Sequence, residues 1–216
     1  MVQEVEMSIK KLSVGKAKDL AELQVEYLKW GSNILAPHIT KNFNNIIQQG
    51  FPTYWTTNMA IPLFKSGDVN NPSNYRTKMI NPRFAKLFGS MLENKIIKWE
   101  EERYKCAKGK KGFRSKYSTV DHCISLRHII EKVWEKKEEF FCCFVDFRKA
   151  FDTVPRDKIW HKMEELGVPK HLRAVMLRLY EEVKVKIRTS KIISESFRSD
   201  FRVKQGCPLS PTIFPS

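Results

Sequence analysis

The run from Phe140 to Asp152, FFCCFVDFRKAFD, holds the residue types from which a catalytic metal site can be built. Six apolar residues lead into a carboxylate, Asp146, and an aromatic, Phe151, follows five positions later. A buried strand ending in Asp fixes a metal ligand more firmly than a loop does, and phosphoryl transfer by two divalent ions needs carboxylates that hold both ions close together. The same Asp would equally well cap the turn after a buried strand, and the residues alone leave both readings open. Asp152 reads more simply as a cap for the helix that follows. Upstream, IPLFKSGD (Ile61 to Asp68) and NPSNYR (Asn71 to Arg76) place Lys65 and Arg76 on the two arms of an expected hairpin. A compact ammonium and a planar guanidinium aimed at one place suit a triphosphate, although a lone Lys at a turn is normally solvated.

These residues need elements to position them. Val2, Val5, Ile9 and Leu12 share one helical face, and the helical pattern resumes through Leu20, Leu23, Leu28 and Ile34 to Ile47 before Gly50 and Pro52 end it. Asn58 to Lys65 reads as a strand, with Ser66-Gly67-Asp68 as a turn and a second arm starting near Tyr75. Pro62 assigns the first arm to an edge or a bulge. Phe84, Leu87, Phe88, Met91, Leu92, Ile96 and Trp99 give the clearest amphipathic helix. Ser118-Thr119-Val120-Asp121 is a capping-box pattern that predicts a helix to about Lys137, followed by a strand over Phe140 to Asp146. Two further helices are expected, one beginning near Pro155 and ending before Gly167, the other over Pro169 to Glu182. The alternation Val183 to Arg188 predicts a half-exposed strand with Lys184, Lys186 and Arg188 outward, paired with Phe197 to Val203. Outward lysines are also how edge strands block unwanted pairing.

With 216 residues, 42% of them hydrophobic, the chain can bury a core, and a formal charge of +15 with pI near 9.6 points to an acidic partner, most simply nucleic acid. The basic residues are spread through apolar periodic segments, which argues for a folded basic surface over a basic tail. The five cysteines show no zinc-ligand spacing, and Cys142 and Cys143 are expected as reduced core thiols on opposite sides of one strand. Reduced thiols imply an intracellular protein, nuclear or cytoplasmic. No stretch has signal-peptide or membrane-spanning length, so no membrane anchor is expected.

Gln205 to Phe214 reads QGCPLSPTIF, a tight turn into a helix. Together with FFCCFVDFRKAFD, in this order and about sixty residues apart, it resembles the reverse transcriptases of non-LTR, LINE-type retrotransposons. The similarity in block order runs from about Ile9 to Phe214. It implies an α+β partial right-hand polymerase, fingers plus incomplete palm, with helices packed on small antiparallel sheets. Residues 1–55 would be an N-terminal helical extension of the fingers, 56–138 the fingers and 139–216 a partial palm. The implied function is RNA-directed DNA polymerisation on an RNA template and a DNA primer, with deoxynucleotides as substrates and Mg²⁺ as cofactor. The resemblance makes Asp146 the first catalytic, metal-binding Asp of the palm and Phe151 the steric gate against a 2′-hydroxyl. Gln205 becomes a contact to the incoming nucleotide, and Gly206 a point of close backbone approach. Lys65 and Arg76 become phosphate ligands of the fingers, and Arg114, in Gly112-Phe113-Arg114, a contact to the template backbone. The family's Asp-Asp pair occurs nowhere in these 216 residues, so the chain alone is expected to be inactive. The alternative is a non-catalytic nucleic-acid-binding remnant of a retrotransposon. Either reading predicts salt-sensitive, sequence-independent binding to RNA or DNA.

Overall fold

Apolar residues at helical spacing form helices, and those helices pack on one another. A computed structural model describes residues 2–103, 118–145, 154–190, 192–199 and 206–213. In it α1 (Val2–Lys11) buries Val5 and Ile9, α2 (Val25–Trp30) buries Val25 and Leu28, and α3 (Ser32–Gln49) buries Ala36, Ile39 and Phe43. Gly50, at φ 113, ends α3 in a conformation that L side chains rarely adopt. The short α4 (Thr53–Thr56) delivers Trp55 into an aromatic cluster, with ring centroids 5.6 Å from Phe43, 6.4 Å from Phe84 and 5.9 Å from Phe88. Such pairs contribute about 0.5–1.5 kcal/mol each beyond the area they bury. Through this cluster α5 (Arg83–Glu102) becomes the central helix, burying Leu87, Phe88, Met91, Leu92, Ile96 and Trp99 as its periodicity predicts.

The expected hairpin is present as β1 (Thr57–Phe64) and β2 (Tyr75–Ile80), antiparallel, with Leu63 opposite Arg76 and Phe64 opposite Tyr75. Farther along, α6 (Thr119–Glu135) starts at the Ser118 capping box, while α7 (Arg156–Glu165) and α8 (Lys170–Glu181) follow Pro155 and Pro169. Then come β3 (Lys184–Ile187), β4 (Phe197–Arg198) and a last turn of helix, α9 (Ser210–Ile213). One mixed sheet of order β2-β1-β3-β4 takes the place of separate small antiparallel sheets, because β3 joins β1 in parallel. Pro62 is therefore not on an edge strand. β3 reaches along β1 only as far as Ala60, opposite Ile187, so Pro62 lies where that side of β1 is open and its missing N–H costs no ladder bond.

Two expectations around residue 140 fail. Phe140 to Val145 forms no strand, and its side chains are exposed, Phe141 by 87% and Phe144 by 81%. An apolar run becomes a strand only where a neighbour supplies ladder bonds and a face to bury against, and among the described residues no strand pairs with it. Cys142 and Cys143 are accordingly exposed free thiols, not core residues. Among the described residues no helix is long and apolar enough to cross a membrane.

Candidate nucleotide site

The loop between β1 and β2 is held by its own polar side chains. Asp68 Oδ1 accepts from the Asn70 amide at 2.9 Å, Asn74 Nδ2 donates to the Asp68 carbonyl at 3.0 Å, and the Tyr75 hydroxyl donates to the Val69 carbonyl at 2.8 Å. Gly67, at φ 93, is needed here, since a Cβ would lie 2.6 Å from Asn74 Nδ2. The Lys65 amide still donates to the Asn74 carbonyl at 3.0 Å, so the ladder continues one residue past β1. Cross-strand pairs share a face and alternate residues return to it. Leu63, Lys65, Arg76 and Lys78 therefore stand on one face, and the rings of Phe64 and Tyr75, 5.4 Å apart, on the other. Lys65 and Arg76 are diagonal neighbours on that face, about 7 Å apart at their stems. Both are exposed.

Gly206 meets the same strand at its other end. It has φ 79, and a Cβ there would sit 3.3 Å from the Met79 carbonyl oxygen and 3.5 Å from Asn81 Nδ2. Gly206 thus lies close to β2, about 10 Å along the strand from Arg76. The turn after it is fixed by burial. Cys207 and Leu209 are buried, and a Cβ on Gly89 of α5 would lie 3.2 Å from Cys207 Sγ, so the helix admits the turn because it carries no side chain there. The Tyr180 hydroxyl lies 3.1 Å from Ser210 Oγ, and Thr212 Oγ1 donates to Glu93 Oε1 at 3.3 Å, joining α9 to α8 and α5. Burial holds the Tyr180 phenol well above its usual pKa and raises that of Glu93. Lys86, beside the same turn, is shifted downward, first by desolvation and then by the Arg83 charge.

Sequence reasoning missed the clamp that holds the N-terminal loop to this region. Asp19 is buried; its Oδ1 accepts from the amides of Ala21 and Leu23, each at 3.0 Å, and its Oδ2 accepts from the Arg83 amide at 2.7 Å. The Arg83 guanidinium in turn donates to the Ala17 carbonyl. Glu26 Oε1 accepts from the Gly15 amide at 2.7 Å, a bond that lowers the Glu26 pKa. Exposed Lys16 and Lys18 ride on the loop so held. No local pattern signals a cap supplied from 64 residues upstream.

Of the other residues singled out, Asp146, Phe151, Gln205 and Arg114 lie outside the described residues. Among the described residues no three His, Cys, Asp or Glu side chains are grouped so as to hold a metal ion.

Comparison with known proteins identifies the fold that these elements build. The family described as reverse transcriptase (RNA-dependent DNA polymerase) matches residues 65–216. The chain is 27% identical over 172 residues to a "Retrovirus-related Pol polyprotein from type-1 retrotransposable element R2" of Popillia japonica, covering 79% of this chain and 24% of that protein. It is 27% identical over 220 residues to the "RNA-directed DNA polymerase from mobile element jockey" of Drosophila funebris, covering 99% of this chain and 23% of that protein. A "Putative 115 kDa protein in type-1 retrotransposable element R1DM" of Drosophila melanogaster is 24% identical over 211 residues, 96% of this chain and 19% of that one. The chain thus spans about a quarter or less of the length of these relatives. With the family match extending from the Lys65 hairpin through the Gly206 turn, the chain belongs to the reverse transcriptase family, in the company of non-LTR retrotransposon polymerases.

Proposed function

We propose that this chain provides the nucleotide-binding fingers and part of the palm of an RNA-directed DNA polymerase, with residues 1–55 extending the fingers, 56–138 forming them and 139–216 contributing to the palm. The observation that carries this reading is the placement of Lys65 and Arg76 on one hairpin face while Gly206 packs on the same β2 strand. The triphosphate of a deoxynucleotide is gripped between the Lys65 ammonium and the Arg76 fork, which neutralise it and fix its orientation. Gln205 contacts the nucleotide, Phe151 packs against its sugar and excludes a 2′-hydroxyl, and Arg114 contacts the template backbone. Reverse transcriptases use divalent metal, and Asp146 is the residue that would hold it here, with Mg²⁺ the proposed ion. Divalent ions held there would supply two-metal chemistry, one activating the attacking oxygen and the other stabilising the leaving one.

Because the 216 residues contain no Asp-Asp pair, the chain alone extends no primer. That sequence feature also supports the second reading, a nucleic-acid-binding module without catalysis. Photo-crosslinking with an azido-deoxynucleoside triphosphate tests the site. Labelling is expected to fall about tenfold or more in Lys65→Ala/Arg76→Ala, in line with two lost charge-assisted contacts. Equal labelling of both proteins would overturn the assignment. Fusing the Asp-Asp hairpin and thumb of a relative to the chain is expected to restore primer extension that Asp146→Ala abolishes. Extension by the unmodified chain would contradict the predicted inactivity.

A further inference from the structure

The cations of β3 cannot be guarding a sheet edge. β3 lies between β1 and β4, hydrogen-bonded on both sides, so Lys184, Lys186 and Arg188 have no unpaired strand edge to protect. Their orientation follows from register. Lys184 pairs beside Thr57 and Lys186 beside buried Met59, while Val185 pairs beside buried Asn58 on the opposite face and is itself buried; Lys184 and Lys186 are half-buried and Arg188 is exposed. Arg188 Nη1 reaches to 4.0 Å from Met59 Sδ, which places it on the Met59 face. Met59, Ile61 and Leu63 alternate along that same face of β1, opposite Ile80, Lys78 and Arg76. Lys184 and Lys186 of β3, with Arg188 just past its end, therefore continue, on one sheet face, the basic surface that Lys65, Arg76 and Lys78 begin.

No Asp or Glu occurs in any of the four strands, and among the described residues none of these six cations has an ion-pair partner. Concentrating one sign of charge on a sheet face destabilises the fold by self-repulsion unless a polyanion offsets it. Met59 is buried and Ile61 half-buried on this face, and the stems of long side chains suffice for such cover without their charges. Along a strand, alternate residues are about 6.6 Å apart. That step is comparable to the one between successive phosphates of an extended nucleic-acid strand, so Lys184, Lys186 and Arg188 can meet consecutive phosphates.

We propose that β3 is a rail for a nucleic-acid phosphate backbone, which crosses the outer sheet face toward Lys65 and Arg76. The proposal rests on the polymerase reading and names a binding surface that lies beyond its nucleotide site. It assigns the contact to phosphodiesters, because phosphate contacts supply the sequence-independent, salt-sensitive part of nucleic-acid binding.

The test is the salt dependence of binding by the full chain, measured with a fluorescent single-stranded RNA and, separately, a DNA duplex. In Lys184→Gln/Lys186→Gln/Arg188→Gln the slope of log K against log salt is expected to become shallower by about 2 for the single strand or about 3 for the duplex, at roughly 0.7 and 0.9 per phosphate. The arm that changes identifies whether the strand on the rail is single or paired. The control Lys10→Gln/Lys98→Gln/Lys132→Gln removes the same net charge from exposed helix positions and is expected to leave the slope nearly unchanged. Should the triple variant unfold, Arg188→Gln alone is expected to lower the single-strand slope by about 0.7. Unchanged slopes in both arms, or an equal loss in the control, would overturn the rail while leaving nucleotide crosslinking at Lys65 and Arg76 intact. Absence of any salt-sensitive binding by the native chain would overturn the rail together with the polymerase reading.

Discussion

Two helices of similar length and similar amphipathic pattern meet opposite fates in this chain. α5 buries a continuous stripe from Leu87 to Trp99 against the aromatic cluster, whereas α6 buries no residue and leaves Ile124 60% and Trp134 78% exposed. Periodicity tells that a helix has an apolar face; it does not tell what covers it. For α5 the cover is supplied by Phe43 and Trp55, whose rings meet Phe88 of α5, together with the helices that carry them, and its stability is tertiary. For α6 the order comes from local terms, the Ser118–Asp121 capping box and pairs such as Arg127 with Glu131 at 2.7 Å.

The contrast is broken most directly by truncating one apolar side chain in each helix. Leu87→Ala is expected to cost about 2–5 kcal/mol, through lost burial and a residual cavity, and Ile124→Ala no more than about 0.5 kcal/mol. Urea unfolding of both variants checks this, and equal losses would show that α6 is covered as α5 is. Asp19→Ala is expected to cost about 1–3 kcal/mol, because three amides lose a buried acceptor. Hydrogen exchange at Ala21, Leu23 and Arg83 should then accelerate together, while α6 amides stay unchanged. Ser118→Ala removes about 1 kcal/mol of capping. In a helix without buried contacts that loss should appear as fraying of the first turn of α6, seen by exchange, and not as a shift in the global unfolding midpoint.

The smallest effect concerns pH. Glu93 has its folded-state pKa raised, chiefly by desolvation, so the folded chain binds this proton more tightly than the unfolded one. The stability it contributes is fully present below the unfolded carboxylate pKa and is lost as pH rises through the folded value. Glu93→Gln, which keeps an acceptor for Thr212, should therefore be the more stable protein at neutral pH, with the advantage shrinking as pH falls through the carboxylate range. Urea midpoints at pH 7 and pH 4 give the comparison, and a constant gap would remove the desolvation argument.

The same distinction between local and distant causes governs what could be read in the sequence. The hairpin, its turn and the shared face of Lys65 and Arg76 were legible because register follows from a short loop and a period of two. Helix starts at Ser118, Pro155 and Pro169 were legible from caps. The parallel pairing of β1 with β3 was not, since no local pattern says which distant strand Asn58 will meet, and the alternation of Lys184 to Arg188 looked like edge protection until its neighbours were known. Phe140 to Val145 reads as a strand for the same reason that it is not one here: composition describes a side chain's preference, and pairing needs a second chain segment. Asp146 is a candidate from its place after an apolar run, and resemblance gives it its role; Phe151, Gln205 and Arg114 take theirs from resemblance.

The Asp19 clamp and the position of β1 bear on how this protein can be cut. The family match begins at Lys65, which would suggest residues 65–216 as the unit to produce in isolation. Such a fragment would lack β1, the strand that joins β2 to β3, and so would divide the sheet in two. It would also begin α5 without its upstream cap, leaving the Arg83 amide and guanidinium without the acceptors that Asp19 and Ala17 provide. The shortest piece that keeps the hairpin, the sheet and the head of α5 intact therefore starts no later than the loop that carries Ala17 and Asp19, well upstream of Lys65, where the family match begins.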